Sequence, residues 1–126
     1  MKVFIASLLI MSFIVGGWFF VYDRVENTSY SFINSLDKII ESIHKNDWAN
    51  ASHEFEEVHK KWSRTRNTWS ILLPHHEIDN IDLASAKARE YINAQNTSLS
   101  LGEIGTLKKL FHIVRENEGL TLTNIL

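Results

Sequence analysis

Hydrophobic positions follow two regimes along this chain. From Val3 to Tyr22 they are continuous: VFIASLLIMSFIVGGWFFVY holds no charged residue. At about 1.5 Å per residue, twenty helical residues span roughly 30 Å, the thickness of a bilayer's hydrocarbon core. From residue 23 onward the apolar residues instead recur every three or four positions, the period of helices with one buried face. Ile33, Leu36, Ile40 and Ile43, widened by Phe32 and Ile39, predict a first helix of this kind. Thr28 or Ser29 would cap its start if it begins there, and Lys45-Asn46-Asp47 would close it. No glycine or proline interrupts residues 18–45, so one long helix running up from the apolar stretch is equally open.

The second helix is the most regular segment. Trp48, Ala51, Phe55, Val58, Trp62, Thr65, Trp69 and Leu72 alternate steps of three and four, the seam of a bundle or coiled coil. Asp47 is its expected N-cap. Pro74, the only proline, breaks it and suits the first position of a third helix, whose face is Ile78, Ile81, Ser85, Ala88 and Ile92. Asn96-Thr97-Ser98 marks the next turn. A fourth helix carries Leu101, Ile104, Leu107, Phe111 and Val114, with Ser100 and Glu103 as a capping box. Gly102 and Gly105 each cost about 1 kcal/mol relative to alanine inside a helix, which a close backbone or a tryptophan ring would justify. Gly119 is expected to end this helix and leave LTLTNIL as a short tail. Helices two and four match faintly at an offset of 49 residues, Phe55 with Ile104 and Trp62 with Phe111, a match that bundle periodicity alone also produces.

The expected architecture is therefore all-α: an N-terminal transmembrane helix, residues 1–22, followed by an antiparallel four-helix bundle, residues 23–126. A cleaved signal peptide would carry a shorter apolar run and a small-residue cleavage site. Trp18 to Tyr22 are bulky and resemble an interfacial aromatic belt, so the segment reads as an uncleaved anchor. Lys2 and the α-amino group precede the span while Asp23, Arg24 and Glu26 follow it. The positive-inside tendency places the N-terminus in the cytoplasm and the bundle outside.

Composition then narrows the chemistry. A net charge of −2 offers no nucleic-acid footprint. The absence of cysteine removes disulfides, thiolate nucleophiles and cysteine-ligated zinc. There is no G-x-S-x-G turn and no glycine-rich phosphate loop, and no catalytic residue or cofactor is assigned.

The single N-terminal span, the W-x(6)-W spacing ending in WSILLPHHEID, and the closing LTLTNIL resemble domain-of-unknown-function family 4363. That resemblance implies a small bacterial membrane-anchored helical protein and brings no catalytic residues with it. It also implies a neighbourhood of multi-pass membrane proteins, a hint about partners.

Histidines and carboxylates cluster at WSILLPHHEIDNID, residues 69–82. His75, Asp79 and Asp82 share a helix face and form a candidate divalent-cation set. The competing reading is a helix start, where the helix dipole favours Glu77, Asp79 and Asp82 near the N-terminus. The pairs Glu41/His44 and Glu56/His59 have the E-x-x-H spacing of dimetal bundles, but in a hairpin closed near Asn46 the two histidines lie at different heights. Finally His59, Lys60, Lys61, Arg64 and Arg66 make the second helix basic; if it descends toward the membrane, each cation near anionic headgroups contributes about 1 kcal/mol. The leading expectation is an accessory module docking on an integral membrane partner through Arg64, Arg66, Trp69, His75, His76, Glu77, Leu122 and Ile125. The alternative is an extracytoplasmic ligand or metal sensor built on His75, His76, Asp79 and Asp82.

Overall fold

The computed structural model describes the backbone of residues 1–125 and the side chains of residues 1–117. It contains four helices: α1, Lys2–His44; α2, Trp48–Leu72; α3, His75–Asn93; α4, Thr97–Ile125. α1 packs on α2 and α4, and α3 packs on α2 and α4, so the helices form a four-sided bundle without diagonal backbone contact. Side-chain pairs make each neighbouring pair antiparallel. Ser42 meets Asn50 and Ser31 meets Lys61 across α1–α2; Glu56 meets Arg89 and Arg66 meets Asp82 across α2–α3. Asp37 meets Lys108 and Glu26 meets Arg115 across α1–α4.

Nothing breaks α1 between the apolar stretch and the bundle, and it runs as one helix of 43 residues, roughly 65 Å long. Neither Thr28 nor Ser29 caps a helix start, because no start occurs there; Ser29 is fully buried instead. The two halves of α1 differ in environment. Its apolar window is long and apolar enough to cross a membrane and is wholly unburied, whereas Val21 already packs on the core and Val25 belongs to it.

The core is the one the periodicity predicts. Phe32, Leu36, Ile39 and Ile43 of α1, Phe55 and Trp62 of α2, Ile78 and Ile81 of α3, and Ile104 and Phe111 of α4 are all buried. At the foot of α2 the register differs by one residue. Leu72 is exposed, while Leu73, in extended backbone just past the helix, turns inward and is buried.

Two corners share one construction. At Asn46 (φ 55°) and Gln95 (φ 54°) the chain enters the left-handed region. At the first, Asn46 N–H donates to Ile43 and Asp47 N–H to Ser42; at the second, Gln95 N–H donates to Ile92 and Asn96 N–H to Tyr91. This Schellman pattern satisfies the orphan carbonyls of the ending helix. The next residue then caps the following helix: Asp47 Oδ1 accepts from Asn50 N–H at 3.1 Å, and Asn96 Oδ1 from Leu99 N–H at 2.9 Å. The corners lie 49 residues apart, the offset of the faint sequence match, and the matched Phe55 and Ile104, Trp62 and Phe111 are all buried. The bundle is two equivalent helical hairpins.

Three local expectations change. Asn96, not Ser100, starts α4, and Ser100 lies inside the helix, fully buried. Pro74 occupies the N-cap of α3 rather than its first turn, with ψ 139°. α4 passes through Gly119 to Ile125, since a glycine only weakens a helix and ends it where the backbone turns left-handed.

Candidate interaction face

The WSILLPHHEIDNID segment divides between core and surface once folded. Trp69 is 3% exposed and belongs to an aromatic cluster with Phe32, Trp62 and Phe111. Phe32 and Phe111 stack at 4.5 Å, and the tryptophans meet them edge-on. Trp69 is thus a core residue and offers no contact surface. Glu77 is buried as well and accepts a hydrogen bond from Asn117 Nδ2 at 2.5 Å, tying the start of α3 to α4. Asp82 accepts from Trp62 Nε1 and from Arg66 Nε, both at 2.7 Å. Arg66 and Asp82 therefore brace α2 against α3. Among the described residues no group of three histidine or carboxylate side chains converges, so His75, Asp79 and Asp82 do not form a ligand set. Asp82 is committed elsewhere, and Asp79 lies on the exposed side of α3 with His75 and His76. The side chains of Leu122 and Ile125 lie outside the described residues.

The E-x-x-H carboxylates are engaged too. Glu41 pairs with Lys45 at 2.8 Å. Glu56 receives two bonds from Arg89, at 2.8 and 2.6 Å, and that bidentate contact holds its carboxyl below the usual range. His59 Nδ1 lies 3.5 Å from Ser85 Oγ.

What the fold assembles instead is a basic face along α1–α2. Lys38, Lys61 and Arg64, with His53, Glu54 and Glu57, line a groove of about 370 Å³. Below it, Arg24, Thr28 and Lys61 border another of about 400 Å³ that reaches Phe20. None of Arg24, Lys38, Lys61 and Arg64 has an ion-pair partner among the described residues. Of the carboxylates beside them, Glu57 is ion-paired with Lys60, while Glu54 accepts from Ser42 and Asn50 and Asp23 from Asn27. Lys61 is the most constrained of the four. Its ammonium donates to Ser31 Oγ and sits 4.5 Å from the Phe32 ring centre. Burial, and then the neighbouring Arg64, push its pKa down.

Arg64 was legible as part of the basic run in α2. Arg24 and Lys38 were not, because they are isolated cations on another helix and only the α1–α2 register brings them beside it.

A family model matches residues 19–125, which is the bundle together with the last aromatics of the apolar stretch. The chain belongs to the family described as Domain of unknown function (DUF4363). The boundary of the DUF4363 match falls just before Val21, where α1 starts to pack against the core. No curated protein and no solved structure matches the chain.

Proposed function

We propose that this DUF4363 protein is a membrane-anchored accessory module that docks on an integral membrane partner. α1 crosses the bilayer with its N-terminus in the cytoplasm and carries the bundle upright on the far side. The continuity of α1 supports this reading most: one helix has no buried residue in its stretch 2–20 among the described residues and is a core element from Val25 onward. A helix without a break transmits orientation, so the bundle stands at a set height above its anchor.

The docking surface is the α1–α2 basic face, and its partner chemistry is acidic. Lys61 lies opposite Ser31, nine residues past Tyr22 and so about 13 Å above the end of the charge-free stretch. The headgroup layer is only about 5–8 Å thick on each side. Lys38 and Lys61 stand above it, where a protein carboxylate rather than a lipid phosphate reaches them, and Arg64, level with residue 28, stands about 9 Å up at its edge. A carboxylate placed there would also relieve the uncompensated charge on Lys61.

Crosslinking in native membranes through a photoreactive residue at Arg64, followed by mild-detergent purification and mass spectrometry, tests the reading. A stoichiometric integral membrane protein is expected, and Lys38→Glu with Arg64→Glu should abolish its retention without loss of helicity. Retention that survives this double charge reversal would sink the assignment.

A further inference from the structure

We infer that the α2–α3 corner is a second membrane contact, in which Ile71 and Leu72 rest in the interfacial layer of the leaflet that α1 has just left. The inference builds on the membrane-anchored reading above and adds a site at the foot of the bundle, apart from the basic face.

The height of the corner follows from the pairing of α1 with α2. Lys61 meets Ser31, and Trp62 packs edge-on against Phe32. The helices are antiparallel, so ten residues farther down Ile71 stands level with Val21 and Leu72 with Phe20. These are the last residues of the charge-free stretch; Asp23 is the first charge after it. A membrane placed by the anchor therefore meets the bundle at the corner between α2 and α3. Packed helices lie about 8–10 Å apart, so a typical tilt of about 20° moves the corner by only a few ångströms relative to the anchor.

The residues at that height have the chemistry for it. Ile71 is 85% exposed, more than any other large hydrophobic outside the anchor among the described residues, and Leu72 beside it is 43% exposed. Leu83 and Leu99, the other exposed leucines of the bundle among the described residues, lie away from the corner, on α3 and at the start of α4. On α1, Trp18, Phe19 and Phe20 are exposed at the matching level, so the apolar surface of the anchor continues sideways onto the corner. The flanking polar groups set the depth. Pro74, His75 and His76 are exposed immediately after the corner. The final carbonyls of α2 past Trp69, whose oxygen accepts from Leu73 N–H, have no helical donor and require water or headgroups. Ile71 and Leu72 thus reach the acyl boundary while the backbone stays in the hydrated layer. Anchor and corner together hold the bundle at two points, which fixes its rotation about α1 and the direction in which the basic face looks.

The cysteine-free chain makes the test direct. Full-length Ile71→Cys and Leu72→Cys variants are labelled with an environment-sensitive fluorophore and reconstituted into phosphatidylcholine vesicles; Val15→Cys in the anchor and Leu83→Cys on α3 serve as references. Circular dichroism confirms retained helicity for each. The labels at 71 and 72 should be blue-shifted and lose intensity to lipids spin-labelled high on the acyl chain, as the Val15 label does, while the Leu83 label responds only to a water-soluble quencher. If the Val15 label is quenched by lipid but both corner labels are quenched only from water, the contact is absent and the anchored reading stands. If the corner labels are shielded from both quenchers, a second copy of the chain covers them and the inference fails. If the Val15 label itself escapes lipid quenching, the anchored reading falls and the corner contact with it.

Discussion

Two serines in this bundle are buried to no evident purpose. The Oγ atoms of Ser29 and Ser100 are enclosed and without a hydrogen-bond partner among the described residues. A buried hydroxyl left unsatisfied costs about 1–3 kcal/mol. The position equivalent to Ser100 in the other hairpin is Ala51, also fully buried, which gives a side chain of the right size for the space. Ser100→Ala is therefore expected to raise stability by about 1 kcal/mol in urea denaturation. Gly102 and Gly105 lead to the same kind of test by another route. Their place inside a helix calls for a ring or backbone pressed against them, but both are exposed and a Cβ at either position would meet nothing within 4 Å. Their helix cost is uncompensated. Gly102→Ala and Gly105→Ala should each stabilise by up to about 1 kcal/mol, visible as a higher melting temperature with no change in the folded spectrum.

Between elements, the α2–α3 contact depends on polar pairs more than its neighbours do. Asp82 joins Trp62 and Arg66, and Glu56 holds Arg89. Asp82→Ala strands the indole N–H of a buried tryptophan and leaves Arg66 unpaired, an expected loss of about 1–3 kcal/mol. A double-mutant cycle with Arg66→Ala should recover part of it; strict additivity would mean that the pair is not coupled. The Glu56–Arg89 pair predicts a pH dependence. Arg89 depresses the carboxyl pKa in the folded state, so its stabilising effect is present above the unfolded carboxylate range and is lost as pH falls through the folded value. Glu56→Gln should lower stability at neutral pH and flatten part of the acid limb of a stability–pH curve. Both partners are more than a third exposed, which keeps the effect small.

For the molecule as a whole, α1 has two parts, an apolar stretch without a buried residue and a core-forming half from Val25 onward. Among the described residues, none of 2–20 belongs to the core, which starts at Val25 with Val21 packed against it. A chain of residues 21–126 should accordingly fold as a water-soluble bundle, with a cooperative melt close to that of the full-length protein in detergent. A non-cooperative melt would show that the bundle relies on its anchor for stability. On the membrane-anchored reading this truncation exposes the foot of the bundle to water, and Ile71 and Leu72 become the place for self-association.

The sequence by itself determined the elements, their apolar faces and the membership of the core, because burial of one face imposes a period of three to four that is written residue by residue. It also carried the family resemblance, the Asp47 cap and the apolar stretch. Only the tertiary structure decided what depends on register between helices. Trp69 lies on the predicted seam of α2 and also in the expected docking set, and Phe32 and Phe111, closing over it from α1 and α4, make it core alone. His75, Asp79 and Asp82 shared a helix face on paper, but Asp82 turns to Trp62 and Arg66 on α2, a choice no intrahelical spacing encodes. Arg24, Lys38 and Arg64 lie far apart in sequence and become one basic face only because α1 and α2 run antiparallel in a particular register. The same register sets Ile71 level with Val21. Local periodicity records what a helix buries; which charges meet, and at what height, is settled by the packing of one helix on another.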